Sequence, residues 1–333
     1  MDGRRKRGNM YNDVRLDKGF YNITGKTFTQ VLTELDPDEE YRDSELAGLD
    51  AFERQLKRFD IKVSGERCDT VEKFFATTQS AVLFPEYIRR MVKKGIESAC
   101  IADGIFAAVG HIDGMDFRSF YITVNGSNPI AQNIELPTTE VKLANSSEEL
   151  KKFAGQIKCS YEAIRKQRLD AFGVIVREMG ARIGRSINIQ ICSQLSAGIT
   201  PATTAGTSIT YADLATFWGS MTNNNMDVMI CPPALMAEIL ALPEMKYCVS
   251  DYMVSGRVKT PYGVTIIKCS QADDGTIIGL DSTAAAELIL GTDIIVDHNK
   301  IINKQSEDIT ASILANVSKL TTAAIKVLKV RTA

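Results

Sequence analysis

Apolar positions change period several times along the chain. Leu46, Leu49, Phe52, Leu56 and Phe59 fall at three- and four-residue steps, which predicts a helix over 46–59 ending before Ser64-Gly65. The run 80–88 with Met91 and Val92 predicts a second helix. Pro85 suits its first turn, where the missing N–H costs nothing, and Glu86 favours its N-terminal end. Lys93, Lys94 and Gly95 read as its stop. The longest helical pattern covers about 162–195, with Leu169, Phe172, Val176, Met179, Ile183 and Ile187 on one stripe. Gly173, Gly180 and Gly184 lie inside it. Each costs up to about 1 kcal/mol in a helix, so their presence predicts another backbone crossing closely.

Other segments alternate. Phe120, Ile122 and Val124 share one face of a strand over 117–124, and Asn125-Gly126 is a two-residue turn signal. The stretch 127–149 is polar, and 150–160 alternates again, with Phe153, Ile157 and Cys159 against Lys152, Gln156 and Lys158. Two extended segments around a polar excursion predict a long two-stranded flap, too thin to bury itself and in need of a partner surface. Short strands follow at 227–231, 263–269, 276–280, 287–290 and 293–296, with β-rich runs at 309–314 and 323–330. Helices are predicted at 211–220 and, opened by Pro232-Pro233, at 234–242. Strands and helices mix without βαβ regularity, so the class is α+β.

The 333 residues include 39 Lys+Arg and 41 Asp+Glu, a net charge of −2, which excludes a body that is basic throughout. Apolar residues make up 44% of the chain, ordinary for a folded protein and too many for wholesale disorder. The first 80 residues depart from that average. Residues 1–26 are polar and read as an extended arm, 36–45 are acidic, and the whole stretch would struggle to build its own core. It is either a small helical appendage or an arm that reaches a neighbouring copy, and the arm is expected because a polar terminus keeps a fixed place only when tied down. A segment removed from the N-terminus is not expected. No secretory pattern opens the chain, and no window approaches the roughly 18 apolar residues of a membrane span.

Candidate chemistry is sparse. The seven cysteines are widely spaced without a C-x-x-C pair, as expected of reduced thiols packed as small hydrophobes. His111 and His298 are the only histidines, and neither stands near a cysteine pair, which argues against zinc. Asp293, Asp297 and His298 could be drawn as a metal cluster, but a solvated strand end explains them. Asp273-Asp274 is explained by turn chemistry. Arg4, Arg5, Lys6 and Arg7 could make a salt-sensitive, nonspecific contact with nucleic acid or an anionic lipid surface, or equally a subunit contact. Phosphate loops, dinucleotide fingerprints, nucleophile elbows and H-E-x-x-H are absent. No catalytic, cofactor-binding or metal-ligating residue is assigned, and no cofactor is expected. That shifts weight towards a structural role.

The order of parts carries a resemblance. A charged arm precedes Ala81-Val82-Leu83-Phe84-Pro85-Glu86-Tyr87-Ile88. A two-stranded excursion leads to Lys158-Cys159-Ser160-Tyr161-Glu162 and a long helix. Then come Cys231-Pro232-Pro233-Ala234-Leu235 and Lys259-Thr260-Pro261-Tyr262-Gly263-Val264. Over 80–330 the chain resembles the major capsid proteins of tailed bacteriophages, with the Hong Kong 97-type fold. The resemblance implies an N-terminal arm (1–79), a peripheral domain begun at 80–111, and an extended loop (112–155) lying over the next subunit. It implies a peripheral portion with the spine helix (156–226), an axial domain (227–307) and a return to the peripheral domain (308–333).

As partners it implies copies of the chain itself, in homo-pentamers and homo-hexamers of an icosahedral head. A portal, decoration or scaffolding proteins and nonspecifically packaged DNA would join them, with no membrane. The location would be the virion, assembled in the bacterial host cytoplasm. Some relatives cross-link Lys to Asn between subunits, and Lys142, Lys151 and Lys152 lie in or near the flap. An encapsulin-like compartment enclosing protein cargo shares the fold; the long charged arm and the loop length favour the phage. A cytosolic enzyme with an unrecognised site is the alternative from another class.

Overall fold

Helix Leu83–Ala99 and the long helix Leu169–Ser196 each carry an apolar stripe, and they cross where neither has a side chain. A Cβ on Gly180 would stand 2.2 Å from the carbonyl oxygen of Val92, and one on Gly95 would stand 2.1 Å from that of Arg177. Gly95 is therefore a contact point inside the first helix, which runs four residues past the predicted stop at Lys93-Lys94-Gly95. Tyr87 Oη donates to the Leu169 carbonyl at 2.7 Å across the same contact.

The computed structural model describes residues 10–23, 25–42, 44–112, 114–124, 136, 139–144, 147–248, 257–291 and 293–331. The predicted turn Asn125-Gly126 and the basic run Arg4–Arg7 lie outside the described residues. The chain divides into two compact units. One gathers 1–99, 154–184 and 293–313, and the other 100–153, 185–292 and 314–333.

In the first unit, the long helix predicted over 162–195 is interrupted. Tyr161–Lys166 is a separate short helix. At the break, Val71 N–H donates to Gln167 O and Leu169 N–H donates to Asp69 O, so the backbone there serves as a bridge to Thr70 instead of continuing the helix. The N-terminal segment also differs from expectation. Within the described part of 1–26, read as extended, Met10–Asp13 is a short helix and Lys18–Asn22 a 3-10 turn; beyond it lie helices Phe28–Leu35 and Ala51–Arg58 with a 3-10 turn at Asp38–Tyr41. The helix predicted from 46 begins only at Ala51, because Asp50 and Glu53 close a capping box there. Val14, Leu16, Phe28, Leu32, Phe52 and Leu56 are buried, so this charged stretch does have a core.

The flap is also rearranged. Phe120–Val124 pairs antiparallel with Thr139–Leu143, and Asp116–Phe117 with Glu148–Glu149. Lys151–Ser160 is not their partner; it pairs with the long strand Ser306–Lys319. The alternation of that segment is real, and its inner face packs on the long helix: a Cβ on Gly155 would meet Met179 Cγ at 2.7 Å.

The second unit contains a six-stranded sheet in the order Ala202–Thr203, Ile325–Lys329, Thr276–Leu280, Val228–Cys231, Thr265–Lys268, Val258–Lys259. Helices Tyr211–Gly219 and Pro233–Ala241 contribute Leu214, Phe217, Leu235 and Ile239 to a core shared with Met229, Val264, Ile277 and Leu328 of the sheet and its flanks. Pro233 opens its helix as its spacing predicts. In the same unit, Ala108–Ile112 runs parallel to Ala286–Gly291, which pairs with the 315–319 end of Ser306–Lys319. The other end of that strand, 306–312, pairs with Ile295–Ile301 in the first unit.

Candidate assembly surfaces and their anchors

The first unit is organised around a buried carboxylate. Glu86 sits in the first turn of its helix with no exposed surface. Its Oε1 accepts from Thr29 Oγ1 at 2.7 Å, from Arg89 Nη2 at 2.8 Å and from Arg90 Nε at 2.8 Å; Oε2 accepts from Arg89 Nε at 2.7 Å. The arginines carry the network outward. Arg89 forks onto both oxygens of Asp293 at 2.8 and 3.0 Å, and Arg90 reaches Asp50 at 2.6 Å while stacking 4.3 Å above the Phe52 ring. Tyr21 Oη accepts from the Glu86 N–H at 3.1 Å and donates to Val82 O at 2.7 Å. Burial pushes the Glu86 carboxyl up, but the Arg89 contact, then Thr29 and Arg90, outweigh it and hold the group below its usual value. Two arginines at i+3 and i+4 answer one carboxylate, a signal visible in the sequence as Glu86-x-x-Arg89-Arg90 and read there only as helix polarity.

A second buried pair fixes the N-terminal segment. Arg54 is fully buried and spends its donors on Asp36 Oδ2 at 2.7 Å, Asp36 O at 2.6 Å, Asp38 Oδ1 at 2.9 Å and Leu49 O at 2.6 Å. Tyr41 donates to the other Asp36 oxygen at 2.5 Å and lies 4.3 Å under the Arg54 guanidinium. Burial, with Asp36 beside it, pushes the Tyr41 hydroxyl up to about 12. This acidic stretch is thus partly internal and neutralised, not a wholly solvated face.

Other surfaces are left uncovered. On the hairpin, Phe120 lies opposite Leu143, and Val141 is two residues along the same face. All three are exposed, Val141 at 62%. In the second unit Tyr247 is 86% exposed and Leu240 stands out from helix Pro233–Ala241. The three hairpin residues share one exposed apolar face, the kind of surface that meets a partner.

The residues singled out from sequence are dispersed. Asp293 is a partner of Arg89. His298 Nε2 lies 2.7 Å from Oε2 of the buried Glu307, and its ring packs edge-on to Phe84. Among the described residues no group of His, Cys, Asp or Glu is placed to hold a metal ion. Asp273 accepts from the Thr276 N–H across a turn with Gly275 at φ +73°, as its turn reading expects. Lys142 pairs with Glu140, and Lys151 with Gln190, which donates on to Asn316 at 3.1 Å. A recess of about 780 Å³ in the first unit is lined by Lys73, Arg165 and Lys300 with Glu72 and threonines, without a nucleophile set beside a base. Among the described residues no helix is long and apolar enough to cross a membrane.

Comparison with known proteins shows the family of the chain. The phage capsid protein family matches residues 145–324, more than half of the chain. The chain belongs to that family. It is a major capsid protein, a structural component of a virion that assembles with copies of itself into a shell. No curated protein sequence matches it. Among solved structures, the virus-like particle from Pyrococcus furiosus is similar at a TM-score of 0.53 and 12% identity, over 73% of this chain and 98% of that one. The capsid of a native GTA particle is similar at 0.51 and 10%, over 72% and 91%, and that of an empty GTA particle at 0.50 and 11%, over 72% and 90%. The fold of the capsid protein is thus the α+β, Hong Kong 97-type shell fold expected from the order of its parts.

Proposed function

We propose that the capsid protein assembles as pentamers and hexamers into the icosahedral head of a tailed phage, closed around double-stranded DNA inside the bacterial host cytoplasm. The observation that carries this reading is the match to phage capsid proteins over 145–324. The hairpin, with its uncovered face of Phe120, Val141 and Leu143, supports an extended loop (112–155) that lies on the next subunit. Four of the six strands of the second unit's sheet fall within 227–307, which supports an axial domain there, and exposed Tyr247 suits its meeting with other copies. Residues 1–79 form the arm, and 80–111, 156–226 and 308–333 the peripheral domain. A portal and, in some assemblies, scaffolding or decoration proteins complete the head.

Heterologous contacts of one chain with itself close into rings, and rings of five and six close a shell. The test is expression of the full chain with size-exclusion chromatography, electron microscopy and the absorbance ratio of any particles. Rings or closed shells of five- and six-membered capsomers support the reading, and nucleic acid within native particles supports the phage head. A small oligomer at every concentration would overturn it, and native shells filled with protein alone would point to a cargo compartment.

A further inference from the structure

The second unit contains a pair of thiols that the shell role does not use. Cys192 lies on the inner side of the long helix, and Cys269 lies immediately after strand Thr265–Lys268. They are 77 positions apart, so no motif announces them. Their Sγ atoms are 3.8 Å apart, and both residues are buried, at 5% and 2% exposure. A disulfide needs about 2.05 Å, so the sulfurs must close by under 2 Å.

We propose that Cys192 and Cys269 are a disulfide-forming pair, oxidised within one chain by hydrogen peroxide or a small hydroperoxide, which staples the long helix to the end of the sheet. The pair is prepared for this chemistry. The two sulfurs share a hydrogen-bond contact, and Cys269 Sγ also lies 3.9 Å from Gln271 Oε1. The contact with Cys192, with smaller contributions from the backbone of Gln271 and Ala272, draws the Cys269 thiol down from its ordinary value against the effect of burial, while Cys192 is pushed up. One sulfur is thereby the nucleophile and the other the resolving thiol.

Position and access select the partner and the oxidant. Cys269 is held by its N–H on the Cys231 carbonyl at 2.9 Å, while the Cys231 sulfur faces Met236 Sδ at 3.7 Å. Burial excludes bulky disulfides, so the oxidant of the proposal is one little larger than water. The Cys269 thiolate attacks one peroxide oxygen; an S–O bond forms, the O–O bond breaks, and the departing hydroxide takes a proton to become water. The Cys192 sulfur then attacks the sulfenic sulfur; the S–S bond forms, the S–O bond breaks and a second water leaves. Two thiols and one hydrogen peroxide give one disulfide and two waters, the sulfurs being oxidised and the peroxide reduced. A cross-link closing so long a loop restricts the unfolded chain strongly.

The full chain, purified with reductant and then treated with hydrogen peroxide, tests this by intact mass, non-reducing peptide mapping and melting temperature. The expected results are loss of two hydrogens per chain, one linked peptide joining Cys192 to Cys269, and a melting temperature higher by about 5 °C that reductant reverses. Cys269→Ser and Cys192→Ser should each abolish both the linked peptide and the shift. Seven alkylatable thiols after treatment, a link between other cysteines, or oxidation stopping at sulfinic acid on either residue would overturn the proposal. Because the readout is the wild-type chain itself, a poorly folding variant leaves the test intact.

Discussion

Gly95 and Gly180 face each other across the helix crossing: a Cβ on Gly95 would stand 2.9 Å from the Gly180 Cα as well as against the Arg177 carbonyl. The obstacle in both directions is backbone, which cannot swing away as a side-chain tip can. Gly180→Ala and Gly95→Ala should each destabilise the chain by more than about 3 kcal/mol, read by denaturant unfolding or as loss of soluble protein. Gly155→Ala is the control, because its new methyl meets the flexible Met179 side chain and should be tolerated far better. Equal behaviour of the three would show that the crossing is not rigid.

Glu86→Gln keeps the shape of the hub and removes its charge, leaving Arg89 and Arg90 to share Asp293 and Asp50. Breaking a buried ion pair from one side costs about 3–5 kcal/mol. Chemical denaturation of the variant should show a loss of that order, and a change within error would mean that the network is dispensable.

The same carboxylate sets an acid limit. Its folded-state value lies below the ordinary 4.5, so its contribution to stability is complete above 4.5 and is lost as pH falls through the folded value. Glu307, held low against burial by His298, adds in the same direction. Denaturant midpoints should hold steady from neutral pH to near 5 and drop below 4.5, and Glu86→Gln should shallow that drop. An unchanged slope in the variant would assign the acid sensitivity to other groups.

Val141→Asp and Leu143→Asp place charge on the uncovered hairpin face, where folding does not rely on burial. Subunit melting should stay within about 0.5 kcal/mol of wild type, while particle yield by sedimentation falls several-fold. Normal particles from the double variant would remove this face from the assembly contacts.

Arg54→Met removes the donors that hold Asp36, Asp38 and Leu49 and leaves Asp36 buried without its cation. The N-terminal segment should loosen ahead of the rest, so limited proteolysis near 42–50 should speed up while the 228–280 sheet stays protected. Simultaneous loss of both would make the segment part of one cooperative unit.

Much of this architecture was legible where burial imposes a period. The stripe Leu169–Ile187, the opening of a helix at Pro233 and the close approach at Gly180 follow from residue spacing alone. The errors share a cause, which is partners distant in sequence. Lys151–Ser160 alternates as a flap strand should, yet its mate is Ser306–Lys319, which no local pattern specifies. The Gln167-Arg168 break is set by Asp69 and Val71, about a hundred residues earlier. The acidic segment looked unable to fold because charge was counted without pairing, and Arg54 with Asp36 turns two of those charges into interior structure. Of the exposed hairpin positions only Phe120 stands out in the alternation, since Val141 and Leu143 fall in the stretch read as polar, and the meeting of Cys192 with Cys269 depends wholly on tertiary placement.

The convergence of Thr29, Arg89 and Arg90 on a single carboxylate has a bearing on how particles of this protein could ripen. A protease severing the chain just ahead of Leu83, with release of the fragment, would carry off Thr29 and Asp50, strip Arg90 of one of its two acids and open Glu86 to water. The buried carboxylate therefore keeps its full set of partners only while the first eighty residues stay attached.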